Sequence, residues 1–234
     1  MIFRIGIENN NDDRTIAWAL DHPGCFAYGG DPREAQQNFL RSAGAYREWI
    51  AQHEEPWLDE GIEVLVEETF DTYFITPLFE RAERSRETYM VESFFVHDWK
   101  PLVPHEIEHA LKLLAWSRLD LMNLVQGLSE EQLTRRYPHE RWDINGILKH
   151  IGGAEWWYQE RIGYPFPENE EDVPADPFER LQLVREHFNT LLPRLDGVDK
   201  VVGLQGEIWS PRKVLRRALW HERDHTEHIR KLLG

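Results

Sequence analysis

The sequence spells His-Glu-x-x-His twice, as His105-Glu106-Ile107-Glu108-His109 and as His221-Glu222-Arg223-Asp224-His225. Histidines four apart share one face of a helix, so either pair could offer two imidazoles to a metal ion. In a chain with 11 histidines such pairs also arise by chance, so the motif alone decides little. The helix face separates the two. At about 100° per residue, the apolar stripe of the first helix runs through Ile107, Ala110, Leu111, Leu114 and Val125. His105 and His109 fall on the opposite, solvated side. In the last helix the stripe is Val214, Ala218, Ile229 and Leu232. His221 and His225 lie inside it and His228 at its edge, while Arg216, Arg223 and Arg230 take the far face. Each buried polar group without a partner costs about 1–3 kcal/mol. The imidazoles must therefore bond to carbonyls or carboxylates, or share a metal, and finding two together on one core stripe points to the metal.

A zinc protease draws its third ligand from downstream, but only nine residues follow His225. Glu222, which such an enzyme would use as a base, sits at the edge of the stripe. An upstream ligand is needed, and His150 is the candidate, beside Ile147, Ala154 and Trp157 on one helix. Three neutral imidazoles leave a coordination position open for water. Glu155, inside the same apolar arc, has two readings: it orients a ligand imidazole, or it pairs with an arginine. Trp156, Trp157, Trp209 and Trp220 read as core or rim. Cys25 reads as a small buried residue. No phosphate-cradling glycine loop and no Ser-His-Asp set is present, so no catalytic residue can be named.

The elements that must hold these groups are helical from residue 104 onward. Pro104 opens a helix whose stripe continues through Leu121 to Leu128. Asp143 caps a second helix over 144–162. A loop rich in Pro, Glu and Asp runs from Tyr164 to Asp176. Asp176-Pro177 with Glu179 starts a third helix, carrying Leu181, Val184, Phe188, Leu191 and Leu195. Ser210-Pro211 starts the fourth, 211–233. Four amphipathic helices with one longer connection make an all-α four-helix bundle over 101–234.

Residues 1–100 read as a separate α+β module. Phe3, Ile5 and Ile7 alternate with Arg4 and Gly6 as a strand. The run Asn9 to Asp13 turns the chain into a returning strand, Thr15 to Leu20. A short strand, Cys25 to Tyr28, ends at Gly29-Gly30. Asp31, Pro32 and Glu34 then open a helix over 32–53 with Ala35, Phe39, Ala43, Tyr46 and Ile50 on one stripe. Ile62, Val64 and Val66 form a last strand. From residue 71 the assignment is weakest, with Thr88 to Val96 strand-like. The prolines at 101 and 104 mark the boundary.

Charge and cysteine content limit the partners. The net charge is −15, with nine basic against 20 acidic residues in the first 100 positions. Such a surface opposes phosphate backbones, so no nucleic-acid partner is expected. One cysteine excludes an intrachain disulfide and a multi-Cys zinc site. No apolar run approaches the roughly 18 residues of a membrane span, and Met1-Ile2-Phe3-Arg4 does not open like a signal peptide. These features point to a cytoplasmic protein without a membrane partner. Short strands leave sheet edges, which a homodimer could cover.

Two resemblances add to this reading. Positions 22–50, HPGCFAYGGDPREAQQNFLRSAGAYREWI, resemble the HicB-like antitoxin fold, in which a PGC turn, a short strand ending in Gly and a helix follow a β-hairpin. That family implies a protein partner, often a small RNA-cleaving toxin, but its usual DNA-binding segment has no counterpart here. Positions 142–158, WDINGILKHIGGAEWWY, and 209–229, WSPRKVLRRALWHERDHTEHI, resemble the DinB-like metal-binding bundles. That resemblance implies His150, His221 and His225 as ligands of a divalent transition metal, zinc or nickel, with His228-Ile229 matching the tail of the motif. Thiol-dependent transferases and isomerases are among the known activities of that family, and the expectation here is an enzyme acting on a small molecule, a thiol-dependent transferase or isomerase or a hydrolase-like one. The rival expectation is a binding protein in which the metal only staples the bundle.

Overall fold

The computed structural model describes residues 2–53, 61–75 and 89–234. The chain divides into two compact units, residues 1–100 with 201–209, and residues 101–200 with 210–234.

The first unit is built on a four-stranded sheet ordered β3-β2-β1-β4. The strands are β1 (Ile2–Asn11), β2 (Arg14–Ala19), β3 (Phe26–Gly29) and β4 (Glu63–Asp71). β1 and β2 form an antiparallel hairpin and β3 adds antiparallel to β2. Helix α1 (Pro32–His53) then carries the chain back so that β4 lies parallel to β1. Its start follows the capping chemistry, with Asp31 Oδ1 accepting from Glu34 N at 2.8 Å. Ala35, Phe39, Ala43, Tyr46 and Ile50 are all buried, as are Phe3, Ile5 and Ile7 of β1, and the Phe3 and Phe39 rings meet at 5.8 Å.

The other face of β1 is a surprise of polarity. Gly6 leaves room for the buried Phe95 ring, whose atoms lie 2.6 Å from where a Cβ would stand. Glu8 is wholly buried. It accepts hydrogen bonds from Trp18 Nε1 at 2.8 Å, from Ser93 N and Oγ and from Thr72 Oγ1 at 2.9 Å, and from Asn11 Nδ2 at 3.2 Å. This knot explains a correction to the expected strand over 88–96. Thr88 lies outside the described residues, and β6 covers only Tyr89–Val91, paired with β5 (Tyr73–Ile75). Beyond it Ser93 is drawn to Glu8 and Phe95 N to Asp98 Oδ2 at 2.9 Å, so the backbone leaves the ladder for a 3₁₀ turn at Val96–Trp99. The hairpin of β7 (Val202–Leu204) and β8 (Glu207–Trp209), unforeseen in the sequence, belongs to this unit, where Tyr89 Oη donates to Glu207 Oε2 at 2.6 Å. It interrupts the stretch 101–234 that was expected to belong wholly to the bundle.

The second unit is the four-helix bundle: α2 (Pro104–Val125), α4 (Ile144–Arg161), α5 (Pro177–Leu191) and α6 (Pro211–Leu233). Each predicted cap closes its helix. Asp143 Oδ1 accepts from Gly146 N at 2.8 Å, Asp176 Oδ1 from Phe178 N and Glu179 N at 2.9 Å, and Ser210 Oγ from Lys213 N at 3.2 Å. α2 stops three residues earlier than expected. Ser129, with Gln132 in a reciprocal capping box, opens a one-turn helix α3 (Glu130–Leu133) instead. α6 packs on both α2 and α4, and α4 on α5. Gly152 permits that last approach, because a Cβ there would come within 2.7 Å of the Arg180 side chain. At one end of the bundle Leu121, Val125, Leu133, Ile144, Ile147, Leu148, Ile151, Leu181 and Ile229 make a continuous apolar core. No helix among the described residues is long and apolar enough to cross a membrane.

Candidate metal centre

Two helices supply the centre. α4, fixed at its start by the Asp143 cap, carries His150, and α6 carries His221 and His225 one turn apart. The sequence places the α6 pair on the core stripe, and there His221 is buried and His225 half-buried. The ring nitrogens converge. His221 Nε2 lies 3.0 Å from His150 Nε2 and 3.2 Å from His225 Nε2, and one nitrogen from each of the three rings falls within 4.8 Å of the others. Four-coordinate zinc with bonds of about 2.0–2.1 Å sets its nitrogen ligands about 3.3 Å apart, close to these separations. Among the described residues the group has three members and all are imidazoles, the donor type that suits zinc, nickel and their neighbours.

The surroundings keep the rings neutral, the state in which each has a lone pair to offer. Burial pushes His221 well below the ordinary imidazole range, helped by His225, His150 and Arg217. Burial likewise brings His225 down to about 3, with His150 and His228 adding to the effect. His150 is lowered by burial and by Arg141. The indole of Trp142 lies against the His150 ring at 4.6 Å and 30°, and the Arg141 guanidinium stands 4.5 Å over that indole. Tyr158 meets His221 edge-on at 6.0 Å.

The remaining predicted residues lie elsewhere. His105 is exposed and His109 half-buried, both at the start of α2 and outside the converging group. His228 Nε2 faces Glu140 Oε2 at 3.1 Å, with its ring 6.1 Å from that of His225. Glu155 reaches none of the three converging imidazoles; its carboxylate bonds to arginines, because two guanidiniums share its buried position. Trp156, Trp209 and Trp220 are buried, Trp157 is half-buried, and Cys25 is buried. Arg216, expected on an outward face, is buried too, since the first three turns of α6 are covered all round.

Beside the histidines lies a charged cluster that the sequence reading missed. Arg185 holds Glu155 with a fork, Nε to Oε1 and Nη2 to Oε2, both at 2.7 Å, and reaches Glu222 Oε2 at 3.0 Å. Arg118 reaches the same Glu222 oxygen from Nε at 2.8 Å and Glu155 Oε2 from Nη2 at 3.2 Å. Burial alone would push the Glu222 carboxyl up, but the two arginines outweigh it and hold it below the usual carboxylate range. Glu222, the acid of the second His-Glu-x-x-His, thus faces arginines rather than the imidazoles. The signal for the arginines was present. Arg118 stands four residues after Leu114 and three before Leu121, and Arg185 four after Leu181 and three before Phe188. Both interrupt apolar stripes.

A bundle with three convergent imidazoles from two of its helices is the setting for the comparisons with known proteins. The chain belongs to the DinB superfamily, which its residues 113–229, half of the sequence, match. Among individual proteins, the chain is 25% identical over 150 residues to a protein of Oceanobacillus iheyensis named "Putative metal-dependent hydrolase", an alignment covering 55% of this chain and 86% of the relative. Among solved structures, YfiT of Bacillus subtilis, described as "a probable metal-dependent hydrolase with an unusual four-helix bundle topology", is 18% identical. Its superposition covers 58% of this chain and 93% of YfiT, with a TM-score of 0.43.

Proposed function

We propose that the chain is a metal-dependent enzyme acting on a small molecule, with His150, His221 and His225 holding one divalent transition metal ion, zinc or nickel. The observation that carries this reading is the convergence of three Nε2 atoms at 3.0 and 3.2 Å in a setting that keeps all three imidazoles neutral. Three protein ligands are the catalytic rather than the closed structural arrangement of a zinc site. What such an ion supplies when bound is Lewis acidity, which makes a water or a thiol a nucleophile near neutral pH. The chain's own residues bind and orient. His221 and His225 present their nitrogens from successive turns of α6, His150 presents its own from α4, and the Trp142 indole packs against the His150 ring. Membership of the DinB superfamily and the name of the Oceanobacillus relative support hydrolase-like chemistry, with thiol-dependent transfer as the other reaction class. Metal analysis of protein purified without added metal tests the reading. One equivalent per wild-type chain is expected, lost in His221→Ala and in His225→Ala. A wild-type chain without stoichiometric metal would refute it.

A second reading concerns the first unit, as a HicB-like module that engages a protein partner or a second copy. Its support is the element order, a hairpin, a short strand ending at Gly29 and an Asp31-capped helix, together with β4 at the sheet edge, where Leu65 and Val66 are exposed. Light scattering on the eluted protein distinguishes a dimer from a monomer, and a strict monomer would remove self-association.

A further inference from the structure

We infer that Arg118, Glu155, Arg185 and Glu222 are positioning residues of the metal centre, a buried clasp that fixes the rotation of α6 against α4 so that the three imidazoles meet. The inference rests on the metal-binding reading above.

Each helix of the bundle contributes one member: Arg118 from α2, Glu155 from α4, Arg185 from α5 and Glu222 from α6. Two cations and two anions balance. The guanidiniums also tie α2 and α5 reciprocally. Arg118 Nη1 donates to Leu181 O at 2.5 Å, and Arg185 Nη1 donates to Leu114 O at 2.7 Å. Each carbonyl belongs to the residue one turn before the other arginine.

The ligands come from two helices, so their meeting depends on how those helices are turned. A slip of α6 by one residue rotates its side chains by about 100° and carries His221 and His225 away from His150. Apolar packing alone guards weakly against such a slip, because it is non-directional and accepts repacking. Guanidinium–carboxylate hydrogen bonds are directional and fail when either partner turns, and both guanidiniums here span Glu155 of α4 and Glu222 of α6. Both carboxylates of the clasp sit near ligands, Glu222 directly after His221 and Glu155 five residues after His150. Stability alone does not account for the clasp, since well-packed apolar residues in place of a buried ionic cluster are often neutral or stabilising. Its distinctive contribution is a unique arrangement.

The test is the affinity of the full chain for cobalt(II) and zinc(II), measured by competition with a chromophoric chelator, together with the visible spectrum of the cobalt form. Arg118→Lys keeps the charge balance but loses the two-armed bridge from Glu222 to Glu155, and is expected to weaken metal binding about 10-fold or more and to change the cobalt spectrum. A fourfold apolar variant, Arg118→Met, Glu155→Leu, Arg185→Met and Glu222→Leu, is expected to melt cooperatively yet bind metal more weakly still. Leu121→Ala, a cavity in the apolar end of the bundle, serves as a destabilised control and should keep the wild-type metal affinity. Wild-type affinity and spectrum in Arg118→Lys, or in a folded fourfold variant, would overturn the inference. So would a loss of affinity in Leu121→Ala equal to that in Arg118→Lys. If the wild-type chain itself takes up no metal, the metal-binding reading fails first and the clasp falls with it.

Discussion

The start of α2 and the middle of α6 carry the same five-residue pattern, His-Glu-x-x-His, and use it in opposite ways. In α2, His105 is exposed, and Glu106 accepts a fork from Arg212, Nη1 to Oε1 at 2.8 Å and Nη2 to Oε2 at 2.6 Å. Glu106 Oε2 also accepts from Val103 N at 3.1 Å, so the motif there works as a helix start. In α6 the same letters sit mid-helix on the covered side, His221 and His225 converge with His150, and Glu222 enters a buried charge cluster. The spacing only puts two imidazoles on one helix face. Whether that face is turned toward the core follows from the apolar residues on either side of it, and whether it then meets a third imidazole follows from how the helices pack.

This contrast can be broken most directly at the proposed ligands. His221→Ala or His225→Ala should eliminate bound metal, while His105→Ala and His109→Ala should leave one equivalent, all by metal analysis of the purified chains. Essential residues at 105 and 109 would invert the comparison.

The two motif glutamates should differ next. Glu222→Gln leaves Arg118 and Arg185 partly unpaired in a buried cluster and should cost about 3 kcal/mol. Glu106→Gln disturbs a pair nearer the surface and should cost about 1 kcal/mol or less. Urea unfolding of both variants at pH 7.5 checks the ranking.

Acidification sharpens the α6 half of the comparison. The folded metal-free protein holds His225 down to about 3 and lowers His150 and His221, all from an ordinary 6.5. The unfolded chain therefore takes up more protons as the pH falls. Stability is fully present above about pH 6.5 and is lost progressively toward pH 3. Urea midpoints should drop between pH 7 and 5, and His225→Gln should flatten that drop. A flat profile in the wild type would contradict the burial of these imidazoles. Smallest of all, His105→Ala should shift stability by no more than about 0.5 kcal/mol, read as a nearly unchanged thermal midpoint.

Much of the bundle was legible because its signals are local. Asp143, Asp176 and Ser210 stand at helix starts where their side chains can take orphan backbone N–H groups, and the apolar stripes follow the 3.6-residue turn. Those two regularities also sorted the histidine pairs, since His221 and His225 share a stripe with Val214, Ala218 and Ile229. The α1 stripe of the first unit was readable for the same reason, and so was the alternation of Phe3, Ile5 and Ile7. Arg216 marks the limit, because periodicity assigns a residue to a face of its own helix and carries no information about what covers that face.

The sequence by itself determined where the four bundle helices begin and where most of their apolar stripes run, because caps and periodicity act over a few residues. Only the tertiary structure decided that His150 meets His221, 71 residues away, at 3.0 Å. It alone brought Arg118, Glu155, Arg185 and Glu222 into one cluster, and joined Glu8 to Ser93 across 85 positions. A buried charge is tolerable only where opposite charges or donors arrive from other elements. Which elements those are depends on how the helices and strands pack, and no stretch of neighbouring residues records it.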